Sequence, residues 1–211
     1  MRALISIALV WLFGSLALAH AQEAAPYEAG VHYVELTAPA PTQNADKIEV
    51  AELFWYGCGH CFSLEPIIGE WKKTLPEDAY FRPVPAFFGG VWNTHGQLYY
   101  TLESLDKLDE THQAVFQAIH NEKKRLATQD EIIEFLEPHG IGEKEFKRAW
   151  SSMGVRGKMA QAERLSKAYR ATGVPTLIVN GKYRIEAAMA GGFEDMLKVA
   201  EYLVERERQS N

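Results

Sequence analysis

Residues 54–62 read FWYGCGHCF and hold both cysteines of the chain, Cys58 and Cys61. What flanks them decides the fold. Upstream, Ile48 to Tyr56 (IEVAELFWY) has the β-branched, aromatic and apolar content of a buried strand. Gly57 interrupts it. From Gly59 to about Leu75, Phe62, Ile67, Ile68 and Trp71 recur at helical steps, and Pro66 inside that stretch predicts a kink. A C-x-x-C therefore sits where a strand gives way to a helix.

Such a pair can be a staple, half of a metal site, or a reagent. A disulfide staple gains from closing a long loop, and this one would close almost nothing. Zinc needs four ligands, and the chain has no third cysteine and no histidines at ligand spacing. At a helix start, by contrast, free backbone N–H groups and the macrodipole favour a thiolate and lower its pKa. A disulfide whose reduced form is stabilised in this way is oxidising. His60, between the cysteines, adds positive charge beside Cys58 when protonated. The histidines at 32, 95, 112, 120 and 139 read as ordinary polar residues.

Glu52 stands six residues before Cys58 inside the apolar strand. Alternation puts it on one face with Phe54 and Tyr56. A carboxylate there is either an exposed edge position or a buried group beneath the cysteines, exchanging protons with Cys61.

Farther out, Tyr80 to Phe88 (YFRPVPAFF) reads as a second strand, its prolines suggesting an edge. About Asn93 to Ala171 follows as five helices. One opens on a capping box, Thr128 to Glu131, and ends at Pro138 and Gly140. Thr176 to Val179 and Lys182 to Ile185 flank Asn180-Gly181, a strong hairpin signal. A helix from Phe193 to about Arg208 closes the chain, and its charged tail ERERQSN reads as a solvated end. A short strand-like piece, Val31 to Leu36, precedes all of this. The order is α/β, with a helical block placed between the two halves of one unit.

The chain has 211 residues, 47% hydrophobic and 24% charged, with a net charge of −6. That composition suits a globular protein with a real core and argues against nucleic acid or an anionic membrane as main partner. Arg2, the uncharged run Leu4 to Leu18 and Ala19-His20-Ala21 have the pattern of a cleaved signal peptide over residues 1–21. The run is shorter than the roughly 20 residues a membrane span needs. Export places the cysteines where disulfides persist.

Taken together, C-G-H-C after an aromatic strand, the acidic residue six before it, and Gly173-Val174-Pro175-Thr176 before a hairpin and helix resemble the thioredoxin superfamily. The helical block narrows the resemblance to the DsbA type of bacterial periplasmic thiol:disulfide interchange proteins. It implies a thioredoxin-like fold, a central mixed sheet flanked by helices, divided into residues 22–90 and 172–211 around a helical insertion at 91–171. It implies Cys58 as the exposed attacking and leaving cysteine, Cys61 as its buried disulfide partner, His60 as the dipeptide histidine and Glu52 as the buried acid. It also implies a cis Val174-Pro175 loop that packs on the disulfide and pairs with an extended substrate peptide.

The implied activity is oxidation of exported, unfolded proteins in the periplasm through a mixed disulfide at Cys58. A membrane reoxidant of the DsbB type would restore the disulfide. The chain is expected to act as a monomer, with no cofactor and no metal. Isomerase or reductase chemistry on the same fold is one alternative. A non-catalytic holdase gripping unfolded chains through Phe87, Phe88 and Trp92 is another, although those aromatics read first as core packing. One position departs from the pattern. The best-known enzymes of this type carry proline where this chain has Gly59, and C-G-H-C is typical of eukaryotic protein disulfide isomerases, so a less extreme oxidant is expected. No lysine stands clearly where some relatives partner the buried acid, and Arg82 is not assigned that role.

Overall fold

The computed structural model describes residues 25–210, so the expected signal segment at 1–21 lies outside the described residues. The chain forms β1 (Val34–Glu35), β2 (Ile48–Phe54), α1 (Gly59–Trp71), β3 (Ala79–Pro85), then α2 (Val91–Ser104), α3 (Leu108–His120), α4 (Gln129–Leu136), α5 (Glu143–Trp150) and α6 (Met153–Ala168). It returns through β4 (Thr176–Val179) and β5 (Tyr183–Glu186) to a short α7 (Ala187–Ala190) and the long α8 (Phe193–Ser210). The five strands make one mixed sheet in the order β1-β5-β4-β2-β3, with β2 parallel to β3 and antiparallel to β4.

β2 lies inside the sheet and is buried along its whole length. Ile48 and Val50 join a core with α1 and α8, including Leu64, Ile68, Leu197 and Leu203. Ala51 and Leu53 join a second core built with the five-helix block, including Leu98, Phe116, Ile132 and Leu165. Each such side chain contributes roughly 1.5–3 kcal/mol by leaving water, so both helical layers are anchored through this strand. Phe54 and Tyr56 also join the helical-block core. The alternation expected to run through Glu52, Phe54 and Tyr56 therefore ends with the strand. β3 is one of the two edge strands, as its prolines require, because its outer N–H positions face no neighbour.

Local chemistry sets the turns. The Thr128 side chain accepts from the Glu131 N–H and caps α4, while Glu131 reaches back to the Ala127 N–H. Asn180 and Gly181 both have positive φ, 49° and 66°, as a tight hairpin turn with the twist of its strands demands. A β-carbon on Gly181 would meet the Ala40 carbonyl oxygen at 2.0 Å. Helix α1 runs on through Pro66 and tightens at Lys72–Thr74 into a 3-10 turn.

The tail of α8 differs from its expected solvated character. Glu207 is buried, and its carboxylate accepts from Asn180 Nδ2 (2.5 Å), Lys182 Nζ (2.6 Å) and Tyr183 Oη (3.0 Å). The hairpin folds over the helix end and turns one of four tail charges into a structural acceptor. Sequence periodicity carries no sign of that, because the three donors arrive from another element.

Candidate active site

Cys58 is the N-cap of α1, and its Sγ accepts from the Cys61 N–H at 3.4 Å. The strand-to-helix transition puts it there: Cys58 N–H donates to the Trp55 carbonyl at 2.9 Å, and the Cys58 carbonyl accepts from Phe62 N–H at 3.0 Å. Across the site the Cys58 S–H donates to the Val174 carbonyl at 3.4 Å. Val174-Pro175 is a cis peptide. Both cysteines are free thiols in this structure, Cys58 partly exposed and Cys61 buried.

The two thiols are pushed apart in acidity. The Cys58 thiol is lowered to about 6. Its hydrogen bond with the Cys61 side chain contributes most, opposed by partial burial, and the backbone N–H groups of Cys61 and His60 and the charge of His60 add to the lowering. Burial, the hydrogen bond to Cys58 and the Glu52 charge raise the Cys61 thiol far above the ordinary range. One sulfur is therefore a ready thiolate and leaving group. The other can depart from a disulfide only if it collects a proton.

Glu52 is 1% exposed, which excludes the exposed-edge alternative. Its Oε1 has no hydrogen-bond partner among the described residues. Burial holds its carboxyl well above the usual carboxylate range, the Glu65 and Cys58 charges push the same way, and Lys72 at the end of α1 opposes them. Arg82, not assigned to this acid from sequence, pairs instead with Glu49 at 3.2 Å. Lys72 and Glu65 escaped sequence reading. Glu65 sits on α1 and Lys72 caps its C-terminal end, and the 3.6-residue period could have placed Glu65, four after Cys61, on the same helix face.

His60 is exposed, with its ring 6.2 Å from Phe193. It lines one side of a groove of about 720 Å³ whose other walls include Val174, Pro175, Ala187, Gly192 and Phe193. Three histidines depart from their ordinary polar reading. His95 is buried and donates to the Arg125 carbonyl at 3.1 Å. His112 and His120 both reach Tyr56 from α3: His112 Nδ1 lies 2.7 Å from the Tyr56 hydroxyl, and His120 Nε2 donates to the Tyr56 carbonyl at 2.8 Å. The aromatics weighed as a gripping surface are not simply core. Trp92 stacks on Trp55 at 3.9 Å, while Phe88 is 45% exposed. Among the described residues no cluster of histidine, cysteine or carboxylates could hold a metal ion, and no helix is long and apolar enough to cross a membrane.

Known proteins offer close parallels. A model of the DSBA-like thioredoxin domain matches residues 77–204, downstream of the cysteine pair. The thiol:disulfide interchange protein DsbA of Pseudomonas aeruginosa is 48% identical over 202 residues, 96% of this chain and 93% of that protein. The protein of the same name from Azotobacter vinelandii is 50% identical over 181 residues, 86% of this chain and 85% of that one. The crystal structure of Pseudomonas aeruginosa DsbA superposes with a TM-score of 0.84 at 49% identity, covering 89% of this chain and 97% of that chain. Oxidoreductase DsbA from Xylella fastidiosa gives 0.81 at 32% identity, covering 87% and 98%.

Proposed function

The chain belongs to the DsbA-like thioredoxin-domain family and is a thiol:disulfide oxidoreductase, and from that premise we propose how its residues carry out dithiol oxidation of exported proteins. The observation that carries the proposal is the contrast between the two sulfurs: Cys58 at the helix N-cap, lowered to about 6, above a buried Cys61 held protonated.

A substrate thiolate attacks Cys58 Sγ of the oxidised enzyme. The Cys58–Cys61 bond breaks, and Cys61 leaves, taking its proton from the protonated Glu52 carboxyl. A second substrate thiolate attacks the substrate sulfur of the mixed disulfide. Cys58 then departs as the thiolate that the helix start stabilises. The substrate has lost two electrons and gained a disulfide, and the enzyme holds the dithiol. An exported chain of this family is reoxidised by a membrane partner of the DsbB type and works in the periplasm as a monomer. Residues 22–90 and 172–211 form the redox unit and 91–171 its helical insertion. The groove beside Val174 and Pro175 would receive the extended substrate segment, with His60 at its rim.

Thiolate absorbance of the reduced protein against pH is the direct test. A midpoint near 6 is expected, and a value near the ordinary 8.5 would overturn the mechanism. Replacing Cys58 and Cys61 by serine separates this reading from a holdase. The double variant should lose all ability to oxidise a reduced substrate protein and to support disulfide formation after export. Activity surviving in that variant would favour binding through Phe88 and its neighbours.

A further inference from the structure

Helix α3 faces the redox site with two imidazoles, and one of them joins three elements. The His112 ring lies between the Tyr56 hydroxyl, 2.7 Å from Nδ1, and the Glu65 carboxylate, 3.3 Å from Nε2. Tyr56 is buried two residues ahead of Cys58, and Glu65 sits on α1 one turn beyond Cys61. Nδ1 accepting from the tyrosine while Nε2–H donates to the carboxylate satisfies all three polar groups at once. His120 fixes the same turn independently, through the Tyr56 carbonyl and a parallel stack on Phe62 at 4.7 Å.

We propose that His112 is a positioning residue of the redox site: from the helical block it fixes the Glu65 carboxylate one turn beyond Cys61 on α1, and so sets from outside the sheet the charge that the proton donor of Cys61 feels. This rests on Glu52 supplying the proton to Cys61. The geometry favours it because Glu65 is 14% exposed, with its carboxylate oriented by no other side chain among the described residues. A glutamate on a helix surface otherwise extends into water, where screening would remove its action on a buried neighbour. Glu65 and Cys58 are the charges that favour a protonated Glu52, Lys72 is the one that opposes, and Cys61 is the thiol Glu52 serves. Around His112, Tyr99 from α2 contributes a third ring at 5.9 Å, with Phe54 and Phe116 completing the enclosure.

The test follows departure of Cys61 in the full chain. Oxidised protein is mixed with reduced glutathione across pH, and the rate of enzyme reduction is divided by the thiolate fraction of the glutathione. The alkaline limb of that profile marks loss of the Glu52 proton. Removing a like charge makes Glu52 lose its proton earlier, so Glu65→Gln should move the limb down by roughly one pH unit. His112→Phe should move it in the same direction. The double variant should move no further than Glu65→Gln alone, because both changes act through one carboxylate. Tyr56→Phe keeps its ring in the core and removes only the hydroxyl that orients the imidazole. It should show part of the shift even if His112→Phe does not fold. Wild-type limbs in His112→Phe and Tyr56→Phe, or additive shifts in the double variant, would overturn the proposal. Glu52→Gln should abolish the limb altogether. A limb persisting there would defeat the assignment of Glu52 itself, whatever His112 does.

Discussion

Gly59 occupies the first position of α1, where a β-carbon would meet nothing within 4 Å. That position suits proline, whose missing N–H is not needed at a helix start and whose fixed φ stiffens the turn that aims N–H groups at Cys58. Gly59→Pro is therefore expected to fold normally, to raise the reduction potential against glutathione and to bring the Cys58 thiol below about 6. An unchanged potential would show that the dipeptide does not moderate oxidising power here. Gly57 two positions earlier is constrained differently. A β-carbon there would meet the Trp55 ring at 2.3 Å, so any side chain displaces the ring that stacks on Trp92 and ties α2 to the site. The sequence shows a glycine breaking a strand. The folded-back indole that requires it is visible only in three dimensions.

At the level of elements, the hairpin of β4 and β5 carries more than its own pairing. Its turn places Asn180, Lys182 and Tyr183 around Glu207, and its Gly181 carbonyl accepts from the Ala40 N–H at 2.8 Å. Gly181→Ala would combine a left-handed backbone with a contact against the Ala40 carbonyl oxygen. A loss of about 1–3 kcal/mol in urea unfolding is expected, with the Cys58 thiolate titration of the folded protein unchanged. A loss of only a few tenths would mean that the Ala40 segment moves aside. The Asn-Gly pair announced this turn through its conformational preference. The segment it packs against, and the charge it buries, depend on contacts far apart in the chain.

For the molecule as a whole, a lowered Cys58 thiol links redox state to stability. A thiol whose folded pKa lies below its unfolded value contributes stability that is fully present above the unfolded pKa and is lost as pH falls through the folded one. With values of about 6 folded and about 8.5 unfolded, that contribution grows across this window. Only the reduced protein has it. The stability of the reduced form relative to the disulfide form should therefore rise from pH 6 to about pH 8.5 and fall at higher pH, where the unfolded Cys61 thiol ionises while the folded one, held far above the ordinary range, keeps its proton. Parallel urea unfolding of the two forms checks this, and a difference independent of pH would contradict the lowered thiol. Placing five helices between β3 and β4 serves the same site, since α2 supplies Trp92 and α3 supplies His112 and His120.

Local chemistry was enough to read the C-x-x-C at a strand-to-helix junction, the carboxylate in an apolar strand, the capping box and the hairpin turn, because each depends on neighbours a few residues away. The thioredoxin-like order of elements followed from the same signals and from the resemblance they carry. Tertiary structure decided what surrounds those features. It buried Glu52 in an inner strand, gave Arg82 to Glu49, brought Lys72 and Glu65 to bear on the buried acid, and turned His112 and His120 from ordinary polar residues into partners of Tyr56. It also withdrew Glu207 from solvent. These outcomes come from desolvation and from hydrogen bonds between elements distant in sequence, and neither leaves a periodic or local mark on the chain.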